Sequence, residues 1–111
     1  MLDLKIEKTE LFEKLIKKLK KRYAQIELDI DSYIDSVSEL SQLGIPLRKN
    51  LYKARIKNSD ALRGKSGGYR LITYLKLVNK TLTLVYIYSK SDLENIDESD
   101  LDKLVSKSFK D

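Results

Sequence analysis

The chain is 111 residues long, with 22 Lys or Arg, 17 Asp or Glu, a formal net charge of +5, no Cys and no His. Without Cys there are no disulfides, zinc–thiolate centres, iron–sulfur clusters or cysteine nucleophiles, and without His the Ser-His-Asp hydrolases and His-ligated metal centres are excluded too. The apolar share of 41% sustains a small core, so one domain over residues 1–111 is expected, and the lack of any apolar run of about 18 residues or signal-peptide pattern points to the cytoplasm with no membrane contact.

Leu2 to Lys8 alternates loosely and predicts a short first strand with Leu2, Leu4 and Ile6 on one face. Thr9 is placed to cap a helix, with Glu10 and Glu13 in its first turn and Lys17, Lys18, Lys20, Lys21 and Arg22 towards its end. Leu11, Phe12, Leu15, Ile16, Leu19 and Tyr23 recur at helical spacing. A second helix is predicted from Gln25 to Leu43 through the apolar positions Ile26, Ile30, Tyr33, Ile34, Val37, Leu40 and Leu43, with Gly44 as a left-handed C-cap and Pro46 preventing continuation. Leu51–Lys57 then reads as a strand, 58–68 as a Gly-containing loop, Tyr69–Val78 as a long strand, Asn79-Lys80 as a turn and Thr81–Tyr88 as its antiparallel partner. Leu101, Leu104, Val105 and Phe109 mark a short C-terminal helix. The expected fold is α+β: a short N-terminal strand and a helical hairpin packed on an antiparallel β-sheet, closed by that last helix.

Charge is unevenly distributed along this order. Residues 1–46 carry 8 basic and 9 acidic side chains, residues 47–90 carry 11 basic side chains against the single acid Asp60, and residues 91–111 carry 3 basic and 7 acidic. A central block so basic suits a polyanion, nucleic acid first. Period two places Lys53, Arg55 and Lys57 on one strand face and Arg70, Ile72, Tyr74 and Lys76 on one face of the next. If those strands pair, Arg70 lies beside Lys53 and Arg55, and Lys90, just past the last strand, reaches the same region. Arg63 and Lys65 add charge at the loop tip, so Lys57, Arg63, Lys65 and Lys76 are candidate nucleic-acid-binding residues around the inner cations. The bland alternative is a solvated sheet face, against which stands the cost of like charges crowded on adjacent strands.

Two decoys are set aside. Gly64-Lys65-Ser66 lacks the earlier Gly of a nucleotide-binding P-loop, because Ser59 stands there, and it leads into a strand rather than a helix. Asp29, Asp31, Asp35 and Glu39 spread over the solvent side of a helix, and Asp97 to Asp102 suits a helix start. No metal and no cofactor, small molecule or otherwise, is expected.

Three segments in order carry a resemblance: Leu51-Tyr52-Lys53-Ala54-Arg55-Ile56, then Gly64-Lys65-Ser66-Gly67-Gly68-Tyr69-Arg70, then Ile87-Tyr88-Ser89-Lys90-Ser91-Asp92 with Glu94-Asn95-Ile96. Together they look like a RelE-type toxin of the RelE/ParE toxin–antitoxin superfamily, whose element order the chain also matches. That resemblance implies an endoribonuclease that cleaves mRNA on the translating ribosome, inhibits translation and is held inactive by a cognate antitoxin, usually encoded adjacently. It carries Lys53 and Arg55 onto the two basic positions of the family's second strand, Arg70 onto its Gly-Tyr-Arg signature and Lys90 onto a basic position after the last strand. The family pattern has an Arg where Ser91 stands and a catalytic Tyr about where Asp97 stands; Tyr86 or Tyr88 are the available substitutes.

Metal-free RNA cleavage uses the substrate's own 2′-hydroxyl and needs a base, positive charge for the phosphorane-like transition state and a donor for the leaving 5′-oxygen. Lys53 is the first choice for base, Arg55 and Arg70 for phosphate stabilisation, and Lys90 for the leaving oxygen or an adjacent phosphate. Such a site gains from the ribosome positioning the mRNA. The competing readings are a ParE-like DNA gyrase inhibitor without nuclease activity and a catalytically inactive RNA- or ribosome-binding module. The antitoxin is expected to present acidic or apolar segments to the basic face.

Overall fold

A computed structural model describes residues 3–48, 50–60, 68–91, 99, 100, 102 and 103. In chain order its elements are β1 (Lys5–Lys8), α1 (Glu10–Lys20), α2 (Ile26–Ser36), a 3-10 turn (Leu40–Leu43), β2 (Ile45–Arg48), β3 (Leu51–Ile56), β4 (Tyr69–Lys76) and β5 (Thr81–Ser89). The five strands form one sheet in the order β1-β5-β4-β3-β2. All neighbouring pairs are antiparallel except β1 with β5, where Lys5 to Lys8 run parallel to Thr81 to Leu84. The architecture is thus the expected α+β arrangement, two helices on a mostly antiparallel sheet. The residues named for the C-terminal helix, Leu101, Leu104, Val105 and Phe109, lie outside the described residues, as do Leu2, Arg63 and Lys65.

The core forms on the face of the sheet that α1 and α2 cover. Phe12, Ile16 and Leu19 from α1 and Ile26 and Ile30 from α2 meet Ile56, Leu71, Leu75, Leu82, Leu84 and Ile87 from the strands, with Tyr69 among them. The helical spacing in the sequence therefore identifies the buried stripe of each helix. Leu4 and Ile6 pack against the same core from β1. Tyr23 meets Tyr69 edge-on at 5.7 Å, and the Arg22 guanidinium lies 5.0 Å from the Tyr23 ring centroid.

Three local expectations are corrected. First, α2 ends at Ser36, not Leu43, because side chains draw the next residues away from helical bonding. Ser36 Oγ donates to the Tyr33 carbonyl at 2.6 Å, and the Gln42 side chain accepts from the backbone N–H groups of Ser38 (2.6 Å) and Glu39 (3.0 Å). Second, Gly44 follows that 3-10 turn and is not the cap of α2. At φ 103° a Cβ there would stand 2.1 Å from the Lys53 carbonyl oxygen, so Gly44 allows the chain to pass close against β3. Third, Ile45–Arg48 forms an edge strand around Pro46, paired with β3 from Ile45 opposite Lys53. Proline is tolerated there because an edge strand needs hydrogen bonds on one side only. At the other end of the sheet, β4 stops at Lys76, leaving Leu77 and Val78 exposed in the turn to β5.

Candidate functional site

Strand register decides which cations meet. Arg55 of β3 stands directly opposite Arg70 of β4, and Arg70 stands directly opposite Tyr88 of β5. Cross-strand partners share a face. One row across the three strands is therefore Arg55, Arg70 and Tyr88. The next row towards the sheet centre is Lys53, Ile72 and Tyr86, and the one after is Leu51, Tyr74 and Thr83. This is the face away from the main core. Its centre is apolar, a second cluster of Leu51, Ile72 and Val85 with Leu11, Leu47, Tyr74 and Tyr86 packed against it. The Arg-containing row occupies one end.

Beyond that row the chain closes a small frame. The Lys90 N–H donates to the Gly68 carbonyl at 2.9 Å, extending the β4–β5 ladder by one pair. Gly68 has φ 73°, and a Cβ there would lie 2.3 Å from the Ile56 carbonyl oxygen and 3.6 Å from the Lys57 Cα. Lys57 and Lys90 thus flank a position that has no side chain. With strands about 4.8 Å apart and same-face residues about 7 Å apart, the backbones of Lys57, Arg55, Arg70 and Lys90 fall within roughly 12 Å. Long cationic side chains can converge over such a span on one phosphate. Lys53 is one step further in. Lys76, opposite Thr81, is on the same face but six residues from Arg70, about 20 Å along the strand.

No carboxylate occurs in β3, β4 or β5. Asp60, the lone acid of residues 47–90, has another role. Its Oδ2 accepts from the Gln25 N–H at 2.8 Å, at the N-terminus of α2, where the Gln25 side chain makes no capping bond. Asp29 of α2 returns the contact by accepting from the Ser59 N–H at 3.0 Å. These two bonds moor the start of the β3–β4 connection to the helix layer.

Tyr88 is 5% exposed, and its buried hydroxyl has no hydrogen-bond partner among the described residues. Burial pushes its phenol above the ordinary range; neighbouring Arg70 pulls the other way, and Tyr86 adds to the rise. Tyr88 therefore lies beside the Arg55–Arg70 row as a covered, neutral phenol. Tyr86 leans on it at 6.1 Å between ring centroids, tilted by 52°.

Both tyrosines reach this face through a β-bulge, which strict alternation does not anticipate. Counting by twos along Thr81–Ser89 groups Tyr86 and Tyr88 with the core residues Leu82 and Leu84. Between Ile72 and Thr73 the register shifts, Tyr86 pairing with Ile72 while Leu84 pairs with Thr73, so Val85 is extra. Thr9 anchors the irregularity: its N–H donates to the Leu84 carbonyl (3.1 Å) and its hydroxyl to the Val85 carbonyl (3.3 Å).

The model of the family described as RelE toxin of RelE / RelB toxin-antitoxin system matches residues 4–110, nearly the whole chain. The chain belongs to this RelE toxin family. It is therefore the toxin half of a toxin–antitoxin pair, with an antitoxin for a partner. The resemblance carried by residues 51–96 of the sequence extends over both helices and β1 as well. A comparison with curated proteins finds no match. Among the described residues no helix is long and apolar enough to cross a membrane.

Proposed function

We propose that this RelE-family toxin is an mRNA endoribonuclease that acts on translating ribosomes without a metal, and so inhibits translation. The observation that carries the reading is the pairing of Arg55 with Arg70 on strands that themselves contain no carboxylate, framed by Lys57 and Lys90 and backed by Lys53. Two guanidinium groups on neighbouring strands can together hold the non-bridging oxygens of one phosphate, and that fit supports an RNA substrate.

In the cleavage step the substrate's 2′-oxygen attacks the adjacent phosphorus. The new P–O2′ bond forms as the P–O5′ bond breaks, leaving a 2′,3′-cyclic phosphate and a free 5′-hydroxyl. Lys53 takes the 2′-hydroxyl proton, Arg55 and Arg70 bind the non-bridging oxygens as their charge grows, and Lys90 gives a proton to the departing 5′-oxygen. The ribosome supplies the alignment of 2′-oxygen, phosphorus and leaving group.

The test is toeprinting on translating ribosomes with purified toxin. New mRNA ends that disappear with Arg70→Ala and Lys53→Ala, and with a 2′-deoxy residue at the cut, support the reading. Intact mRNA with accumulating gyrase–DNA breaks assigns the toxin to the gyrase-inhibiting class instead. Intact mRNA without such breaks leaves a binding module.

A further inference from the structure

We infer that Tyr86 is a base-stacking platform of this site, holding the base of a nucleotide that adjoins the scissile phosphate and favouring a purine there. The inference rests on the nuclease reading above and adds a source of sequence preference to it. Phosphate contacts made by Arg55, Arg70, Lys57 and Lys90 carry no base information. Single-stranded RNA is gripped by pairing such contacts with aromatic rings, since every base has a π-face to stack.

Tyr86 meets the geometric requirement. It stands directly across from Ile72, which stands directly across from Lys53, so it is one diagonal step from Arg70. That separation, about 7–8 Å, is the range in which aromatic side chains still act on a neighbour. One side of the ring is fixed in place by the Leu51, Ile72 and Val85 cluster and by Tyr88. The residue nonetheless stays partly exposed, whereas Tyr88 is 5% exposed and its hydroxyl is covered. A ring already held in one orientation loses little freedom when a base settles on it.

The bulge is what brings the ring to this face. Regular alternation would bury Tyr86 with Leu82 and Leu84. The extra residue Val85 turns it to the cationic face at the expense of one ladder position, and Thr9 satisfies the exposed carbonyls. The same shift seats Ile87 in the main core, so one extra residue serves both the packing of the strand and the presentation of Tyr86.

The experiment is single-turnover cleavage on ribosomes programmed with a defined mRNA, toxin in excess, reading the half-saturating concentration and the maximal rate. Tyr86→Phe keeps the ring and retains the wild-type half-saturating concentration, whereas a loss of maximal rate in this variant overturns the stacking role in favour of a catalytic phenol. Tyr86→Leu keeps the packing, loses the ring and raises the half-saturating concentration roughly 5- to 150-fold, the range for one stacked base. An mRNA with an abasic residue beside the cut imposes the same penalty on the wild-type toxin, which needs no variant to fold, and no added penalty on Tyr86→Leu. Replacing a purine there by a pyrimidine gives a smaller loss in the same direction. Equal abasic penalties in wild type and Tyr86→Leu overturn the stacking role while leaving the nuclease intact. A wild-type toxin that cuts no mRNA overturns both.

Discussion

Gly68 is the residue on which the cationic frame depends. Its φ of 73° is strained for any residue with a Cβ, and the added atom would meet the Ile56 backbone oxygen at 2.3 Å. Neither the β3 backbone nor the β4 backbone can yield without shifting the Arg55–Arg70 register. Gly68→Ala is therefore expected to destabilise the fold by at least about 1–3 kcal/mol, measured by urea unfolding, and to reduce cutting beyond what lost stability explains. The phenols make a second residue-level prediction. Burial pushes Tyr33 up to about 12, and Tyr69 and Tyr88 are raised as well, Tyr69 with help from Asp29 and Asp60. In the unfolded chain these groups ionise near their usual value of about 10. The folded state thus holds protons that the unfolded state releases. Their contribution is complete below pH of about 10 and is lost as pH rises towards 12 and beyond. Urea midpoints should fall steeply across that range, and tyrosinate absorbance should show late-titrating phenols that join the others only in denaturant.

At the scale of elements, the sequence was legible wherever one periodicity ran unbroken. The apolar positions of both helices and the Lys53/Arg55 face of β3 follow directly from repeats of 3.6 and 2. Legibility ended where side chains or tertiary contacts overrode the pattern. Val37, Leu40 and Leu43 continue the helical spacing of α2, yet Ser36 and Gln42 bond to the backbone and stop the helix. Pro46 reads as punctuation until β3 is there to pair with one side of Ile45–Arg48. The Tyr86 and Tyr88 positions depend on a bulge whose anchor, Thr9, is 76 residues away from Val85. Thr9 does two jobs with one hydroxyl, accepting from the Phe12 N–H at 3.0 Å as the cap of α1 and donating to Val85. Thr9→Val removes both and should cost about 1–2 kcal/mol, the upper part of the range for a lost cap. Thr9→Ser should retain most of the stability. Urea unfolding of the two variants decides this, with equal losses counting against the double role.

Viewed as a whole, the molecule's two sheet faces differ in what they carry. The helix-covered face supplies most of the apolar burial, while the other carries a small apolar centre and, at one end, the opposed arginines. Stability and activity should therefore separate under mutation. Arg55 is exposed and faces a like charge, so Arg55→Gln should leave urea stability equal or raise it by up to about 1 kcal/mol, while mRNA cutting falls sharply. A fall in stability together with activity would place Arg55 in the scaffold instead. The same uneven charge bears on the antitoxin. Eleven basic side chains against one acid in residues 47–90 give this part of the surface a field that reaches beyond contact distance. An antitoxin presenting acidic segments to it should associate far faster than an uncharged patch would allow, and the rate should drop as salt shortens the Debye length from about 30 Å at 0.01 M to about 8 Å at 0.15 M. Stopped-flow association across that range should show a steep decline in on-rate with a much smaller change in off-rate. Lys57→Glu, which reverses one charge at the exposed edge of the frame, should lower the on-rate and flatten its salt dependence. An on-rate indifferent to salt would mean that the antitoxin docks without drawing on the charge of the cationic end of the sheet.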